Sequence, residues 1–213
     1  SLLTLLPIIL DRKDTWLIPN LKDPFAAAQL SVAIPITGWE FLIGVFYFIS
    51  IVFGVYFLSK LQVIKSVLVL SISTAFCLLV FTRVMVPKIE SFTQGPMIAF
   101  YENLKGKDVY VTPVNMKSYA QYFYSEVTPL EENDALAIFK KQLLEEHNAN
   151  SFNDLTQENK TIFNSQVVTW LMTGNVDKPT YFVVRVHHKD KIQDNPDCEF
   201  LYEEGGFAFY KRK

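Results

Sequence analysis

Four polar residues follow the second of two long apolar runs, and their types suit the binding of an anion: Arg83, Lys88, Glu90 and Gln94. Arginine and lysine bind phosphate through charge and hydrogen bonds. If the apolar run crosses a membrane, these side chains lie at the depth of the lipid headgroups. The sequence therefore predicts contact with a lipid-linked phosphate. Headgroup anchoring, the commoner role of basic residues at such a place, is the alternative.

A second pair of candidates, Lys117 and Tyr119, follows a predicted strand, and loops at strand ends often carry function. A tyrosine ring can stack on the face of a sugar, so both residues are candidates for substrate binding. The commoner alternative is that Tyr119 and its aromatic neighbours Tyr122, Phe123 and Tyr124 pack the domain onto its own sheet or onto the apolar part of the chain.

Metal and nucleophilic chemistry find no support in the sequence. His187 and His188 stand beside Asp190, but adjacent residues on a strand point to opposite faces, so the two imidazoles do not easily share one ion. The acidic residues between positions 190 and 199 lack the glycine and the spacing of a calcium loop. No glycine-rich phosphate loop and no Ser-His-Asp or Cys-His pattern is present. We therefore predict no catalytic residue and no metal ligand.

Two long apolar runs determine where the four polar candidates lie. Trp39–Leu58, with Glu40 at its edge, and Ser66–Val86 each supply the roughly 20 residues that cross a bilayer. A buried hairpin in a soluble protein is the alternative, but two such runs in tandem are rare outside membranes. Ser1–Leu10 is predicted to be the end of a further membrane helix. Phe25–Thr37, which contains a proline, is predicted to lie along the interface or to re-enter the protein.

The charged residues concentrate after Pro87. Residues 87–213 are therefore predicted to form a small, mildly acidic α/β domain with one core, and residues 1–86 the C-terminal helices of a larger membrane domain. The formal net charge of −2 gives no support to a nucleic-acid partner. Cys77 and Cys198 lie in different parts of the chain, and no disulfide is predicted between them.

The patterns of the soluble part predict a small sheet with a few helices. Alternation in "GKDVYVTPV" and β-branched residues in "PTYFVVRVH" indicate strands, and Gly205-Gly206 joins two more in a hairpin, with Phe207 and Phe209 on one buried face. The segment 128–131, "TPLE", is predicted to cap and begin one helix. Another helix is predicted to end near Gly174 and to share five apolar residues on one side: Ile162, Phe163, Val167, Trp170 and Leu171.

The loop "SKLQVIK" between the two apolar runs decides the predicted orientation. It carries Lys60 and Lys65 and no acid, and the positive-inside tendency places such a loop in the cytoplasm. Three basic residues between positions 12 and 22 weigh against this orientation. If the loop is cytoplasmic, the second run leads outward, and residues 87–213 are extracytoplasmic.

Four segments of the chain resemble bacterial membrane glycosyltransferases, in the family of the aminoarabinose transferases and the dolichyl-phosphate-mannose–protein mannosyltransferases. The segments are "VPKIESFTQGP" (Val86–Pro96), "GKDVYVTPVNMKSYAQYFYS" (Gly106–Ser125), "DKPTYFVVRV" (Asp177–Val186) and "GGFAFYKRK" (Gly205–Lys213). The resemblance implies many membrane helices, an extracytoplasmic active site, a small extracytoplasmic C-terminal domain and a sugar donor carried on a polyprenyl phosphate.

On this resemblance, the chain is the C-terminal part of an enzyme of the inner (plasma) membrane that moves a sugar to an extracytoplasmic lipid, glycan or protein. Membrane lipid and the polyprenyl-phosphate sugar donor are its expected partners. The family's key acidic residues lie in a first extracytoplasmic loop that nothing here matches, so the chain alone is expected to be inactive. No cofactor is expected in this part, and the need of the whole enzyme for a divalent metal stays open.

Two other functions are compatible with the sequence. A non-enzymatic, membrane-anchored sensor or assembly domain would share the apolar runs and the soluble domain. A transporter or channel part is the weaker alternative, because the apolar runs lack the interior charges that mark an ion path.

Overall fold

The computed structural model describes residues 2–33, 36–127 and 129–213. The chain forms two compact units, Ser1–Gly95 and Pro96–Lys213, and Pro87, where the composition changes, lies inside the first unit. The first unit contains the helices α1 (Leu2–Asp11), α2 (Pro24–Ser31), α3 (Phe41–Ser59) and α4 (Val63–Thr93). Short irregular helical turns cover Lys13–Leu17 and Ile18–Asn20 between α1 and α2.

The helices α3 and α4 correspond to the two predicted apolar runs, and both are long and apolar enough to cross a membrane by length and composition. The predicted run stops at Val86, and a proline directly after it usually ends a helix, but α4 continues through Pro87. Proline lacks an N–H, so the carbonyl of Arg83 loses one helical hydrogen bond. The helical pattern resumes beyond it, and the N–H of Gln94 donates to the carbonyl of Glu90 at 2.9 Å.

Small residues line the contact between α3 and α4. Ser66 Oγ donates to the carbonyl of Gly54 at 2.7 Å, and a Cβ at position 54 would lie 2.8 Å from the side chain of Leu70. Other buried residues of the two helices are Gly44, Ser50, Ser73 and Cys77, and, towards the end of α4, Met85 and Phe92. Large apolar side chains, by contrast, are more than half exposed, among them Phe48, Val55, Leu68, Ile72 and Leu79. Before Met85, the two helices therefore bury small side chains and expose many large ones.

The helix α2 covers part of the segment for which the sequence leaves an interfacial and a re-entrant position open, and Pro35 of that segment lies outside the described residues. The ammonium group of Lys13, which is 7% exposed, donates to the carbonyls of Leu30 and Val32 at the end of α2. These are carbonyls that a helix end leaves without an intrahelical partner. Lys13 therefore fastens α2 to the turn that follows α1.

The second unit is built on a mixed sheet. Its strands are β1 (Tyr110–Val114), β2 (Thr180–Arg185), β3 (Cys198–Glu204) and β4 (Phe207–Arg212), in the order β1-β2-β4-β3. The pair β1 and β2 is parallel, and the other two pairs are antiparallel. Gly205 and Gly206 have φ of +55° and +81°, which suits a two-residue hairpin turn. The strands and the hairpin predicted from the sequence are confirmed.

Helices cover both faces of this sheet. They are α5 (Gly95–Asn103), α6 (Ala120–Tyr124), α7 (Ala135–Glu146) and α8 (Gln157–Thr173). One core joins α7 and α8 to the sheet and includes Leu136, Leu143, Phe163, Leu171, Phe182 and Tyr210. On the other face, Phe100 of α5 stacks on Phe209 with ring centroids 4.4 Å apart, and Phe207 is also buried. Ile162 is 42% exposed, so its predicted place on the buried side of α8 is wrong.

The start of α7 differs from the prediction. The helix begins at Ala135, so the expectation that a helix starts in the segment 128–131 is wrong, and Thr128 itself lies outside the described residues. The carboxylate of Asp134 accepts a hydrogen bond from the N–H of Glu131 at 2.9 Å. This local bond closes a turn before the helix, because an aspartate side chain competes with the backbone for nearby N–H groups.

Candidate functional site

The four predicted residues at the end of α4 fall on two sides of the helix. Successive residues of an α-helix are about 100° apart, so Glu90 and Gln94 lie within about 20° of Arg83, whereas Lys88 lies about 140° away from it. Arg83, Glu90 and Gln94 are exposed, and Lys88 is partly buried. The structure thus divides one predicted cluster into an exposed polar face, formed by Arg83, Glu90 and Gln94, and a separate lysine.

Lys88 forms an ion pair with Glu40, the residue directly before α3. Glu40 is 1% exposed, and its Oε1 also accepts hydrogen bonds from the backbone N–H and the hydroxyl of Thr37, at 3.1 and 2.9 Å. Sequence reasoning placed Glu40 only at the edge of an apolar run. The sequence did contain a signal, a carboxylate beside apolar residues, because a buried carboxylate must be paired. No local sequence pattern, however, identifies a partner as distant in the chain as Lys88.

The donors around Glu40 all meet one of its two oxygens: Oε1 accepts from Lys88 and from the N–H and the hydroxyl group of Thr37. Its Oε2 is buried and has no hydrogen-bond partner among the described residues. Removing one partner of a buried ion pair lowers the free energy of unfolding by about 3–5 kcal/mol. The pair with Glu40 therefore holds the Lys88 ammonium group in place.

The helix α2 holds the same end of α4. Gln29 Nε2 donates to the carbonyl of Thr93, the last residue of α4, at 2.6 Å. That carbonyl has no partner within the helix, because a helix leaves its last four carbonyls free. The end of α4 is therefore fixed by two preceding segments, through Gln29 and through Glu40, while the exposed polar face has no such contact among the described residues.

The other two predicted residues, Lys117 and Tyr119, belong to the second unit, between β1 and α6. Lys117 is exposed, and Tyr119, Tyr122 and Phe123 are 84%, 65% and 75% exposed. For these three aromatic side chains, the predicted packing onto the sheet is therefore wrong, whereas the other part of that alternative, packing onto the apolar part of the chain, stays a prediction. Tyr124 is partly buried, and its ring centroid lies 5.0 Å from that of Phe123.

The two adjacent histidines lie in a different element from the one assumed. His187 and His188 belong to a short 3₁₀ segment, Val186–Lys191, with ring centroids 4.1 Å apart, so the argument from strand geometry does not apply. Within residues 2–33, 36–127 and 129–213, no group of three or more His, Cys, Asp or Glu side chains could hold a metal ion. The chemistry that the candidate residues can perform is the binding of an anion at the end of α4.

Comparisons with known proteins find a likeness to solved structures only. No family model and no curated protein matches the chain. The chain is similar to two crystal structures of ArnT from Cupriavidus metallidurans, one in the apo state and one bound to undecaprenyl phosphate. Each has 11% sequence identity, a TM-score of 0.47 and covers 98% of this chain. The match covers 36% and 35% of the ArnT chains, so this chain spans about a third of their length. Its family remains a proposal.

Proposed function

We propose that the chain is the C-terminal part of an integral membrane glycosyltransferase that moves a sugar from a polyprenyl-phosphate donor to an extracytoplasmic acceptor. The support comes from the sequence resemblance described above and from the polar end of α4. The proposed substrate contacts are Arg83, Glu90 and Gln94 of the exposed polar face, together with Lys88.

The surfaces of α3 and α4 support a membrane location. In a soluble protein the large apolar side chains are buried, whereas here many are exposed and, before Met85, the buried residues are small. Membrane helices pack through small residues, because lipid covers the large ones. Moving a leucine or phenylalanine side chain from water into apolar surroundings is worth about 1.5–3 kcal/mol, so the many exposed side chains of these helices together favour a bilayer strongly.

The length of α4 supports a headgroup position for its polar end. A helix rises about 1.5 Å per residue, and the hydrocarbon core of a bilayer is about 30 Å thick, so about 20 residues cross it. Counted from Ser66, this distance ends near Val86, and α4 continues to Thr93. On this count Arg83 lies in the last turn of the span, where a long basic side chain reaches the headgroups, and Glu90 and Gln94 lie beyond the hydrocarbon.

The coincidence of an exposed arginine with the end of an apolar span is the observation that carries the proposal. The phosphate of a polyprenyl donor must stay at headgroup depth, because its lipid tail remains in the hydrocarbon. The Arg83 guanidinium group can bind such a phosphate through two parallel hydrogen bonds. Lys88 lies on another side of the helix, and Glu40 balances its charge, so it is proposed as a further hydrogen-bond donor and not as a second free charge. The phosphate gains negative charge as the sugar leaves, so hydrogen bonds from these groups stabilise the transition state more than the bound donor.

A binding experiment tests this proposal on the chain itself. Membranes that hold equal amounts of each variant are irradiated with a photoreactive polyprenyl phosphate, and the labelled protein is measured against probe concentration. Arg83→Ala removes hydrogen bonds to a charged group, worth about 1.5–3 kcal/mol, so we expect the apparent affinity to fall about 10- to 100-fold. Lys65→Ala is the matched control, because it removes one positive charge from the first turn of the same helix.

Saturable labelling that Arg83→Ala weakens and Lys65→Ala leaves unchanged supports the proposed site. Equal losses in both variants indicate general attraction of the probe by charge and contradict it. Labelling that never saturates contradicts donor binding and favours a non-enzymatic, membrane-anchored domain.

A further inference from the structure

The short helix α6 has a polarity that is the reverse of an ordinary surface helix. Its buried residues are Gln121, which is 4% exposed, and Ser125 at its C-terminal end, which is fully buried. Tyr122 and Phe123 are largely exposed, as is Tyr119 directly before the helix. A helix that faces water normally buries its apolar side chains and exposes its polar ones. α6 is therefore suited to apolar surroundings on its outer side.

A hydrogen bond joins the end of α6 to a preceding loop: the carbonyl of Ser125 accepts from the N–H of Gly106 at 3.3 Å. Two further bonds close the segment on itself, from the hydroxyl group of Ser125 to the carbonyl of Gln121 and from the N–H of Tyr122 to the carbonyl of Tyr119 at 3.1 Å. We call the three exposed aromatic residues of this segment the aromatic tip: Tyr119, Tyr122 and Phe123.

Lysines flank the aromatic tip on both sides. Lys117 precedes Tyr119 by two residues, and Lys107 follows Gly106, which is bonded to the end of α6. Both lysines are exposed, and within the described part of the chain neither forms an ion pair, unlike Lys105, which pairs with Glu126 at 2.7 Å. Two acidic residues lie beside these segments in the chain, Asp108 and Glu126, and each is paired with another lysine, at 2.8 and 2.7 Å. This surface is therefore apolar at its centre, with two lysines at its edges that are unpaired among the described residues.

We infer that the aromatic tip rests in the headgroup layer of the membrane, with Lys107 and Lys117 against anionic lipids. The inference rests on the membrane location in the proposed function. Only Gln94 separates the end of α4 at Thr93 from the start of α5 at Gly95, so the chain that joins the second unit to the apolar helix is short. Aromatic side chains are favoured at headgroup depth, and lysines are attracted to anionic lipid surfaces. Tyr119 is then a lipid contact rather than a sugar contact.

The depth of the aromatic tip can be measured in the whole chain, reconstituted into vesicles of phosphatidylcholine and phosphatidylglycerol. A fluorophore is attached at Phe123→Cys, and the same fluorophore is attached in separate samples at Leu79→Cys in α4 and at Ile162→Cys in α8, two positions that are also exposed. Cys77 and Cys198 are buried, and the unsubstituted chain gives the background of labelling. A nitroxide on the lipid and iodide in the water quench the fluorophore from the two sides.

We expect the label at position 123 to lose fluorescence to the nitroxide lipid and to be protected from iodide, with the opposite result at position 162. The label at position 79 tests the membrane location itself: quenching there by iodide instead of lipid would overturn the proposed function as well. Lipid quenching at position 79 combined with iodide quenching at position 123 would overturn this inference alone. Protection of the label at position 123 from both quenchers would also overturn this inference. It would indicate that protein, such as a second copy of the chain, covers the aromatic tip.

The two lysines are tested in the chain that carries the label at position 123. A lysine near an anionic surface strengthens binding about fivefold. Lys107→Ser combined with Lys117→Ser should therefore reduce the lipid quenching in vesicles with phosphatidylglycerol and leave it unchanged in pure phosphatidylcholine. Unchanged quenching in both kinds of vesicle would overturn the role of the lysines.

Discussion

The Glu40–Lys88 pair gives any substitution of Lys88 two separate effects. Lys88→Ala removes a cation from the proposed phosphate site, and it also leaves the buried carboxylate of Glu40 without its cation. In the longer enzyme proposed above, we expect Lys88→Ala to lower sugar transfer much more than it lowers the amount of protein. Lys88→Arg keeps the charge in a different geometry and should retain part of the activity. The measurement is sugar transfer from the lipid donor in membranes with equal amounts of each variant.

A double variant separates the two effects. Glu40→Gln combined with Lys88→Met removes both charges while keeping side chains of similar size, so no buried carboxylate is left unpaired. Transfer as low as in Lys88→Ala, with normal amounts of protein, would assign the loss to the missing cation. Transfer at the wild-type rate in either variant would exclude Lys88 from the site and leave headgroup anchoring as its role.

For single residues, the sequence predicts which residue types stand at the candidate site better than it predicts which residues they contact. The polar cluster after the apolar run was visible in the sequence, because charge next to a span is a local pattern. That Lys88 faces Glu40 while Arg83 faces outward depends on the turn of the helix and on a contact between distant parts of the chain. The sequence could not predict whether Tyr119 packs inside the domain, because its exposure depends on which residues in and beside α6 face the domain.

Strand β4 packs against α5 through aromatic rings, and this contact can be tested. Phe209 is 0% exposed, and its ring stacks on that of Phe100. Phe209→Ala leaves a cavity that costs about 3–5 kcal/mol. We expect faster amide hydrogen exchange across β2 and β4 in the whole chain, because the sheet opens more easily. Phe200→Ala in β3 is the matched control, since Phe200 is 50% exposed. Equal exchange in the two variants would contradict the burial of Phe209.

Elements with a regular apolar pattern were predicted correctly, whereas their ends often were not. The two apolar runs and the Gly205-Gly206 hairpin follow from composition and turn chemistry alone. Pro87 indicates a helix end by its chemistry, yet α4 continues because a helix of this length tolerates the loss of one hydrogen bond. The segment 128–131 has a good capping pattern, but the side chain of Asp134 forms a competing turn.

The orientation of the whole chain across the membrane remains a prediction from Lys60 and Lys65. Lys60 follows α3 directly and Lys65 lies in the first turn of α4, and both are exposed, whereas Lys13 is engaged by carbonyls of the chain. We therefore expect an introduced Asn150→Cys, at an exposed position of the second unit, to react with an impermeant thiol reagent added to intact cells. Leu61→Cys, in the connection between α3 and α4, is 87% exposed and should react only after the membrane is opened. The reverse pattern would reverse the topology.

The position of β4 has a consequence for how the domain is made. This strand is the last of the sheet to be synthesised, yet it lies between β2 and β3. A ribosome adds about 5–20 residues per second, so about 1–5 s separate the completion of β2 at Arg185 from that of β4 at Arg212. During that interval β2 lacks its antiparallel neighbour, and the apolar side chains of Val183 and Val184 lack part of their cover. The sheet therefore closes only once the nascent chain has delivered its final strand. A premature stop codon just before Phe207 would remove an interior strand rather than an edge, and would leave β2 and β3 open to aggregation.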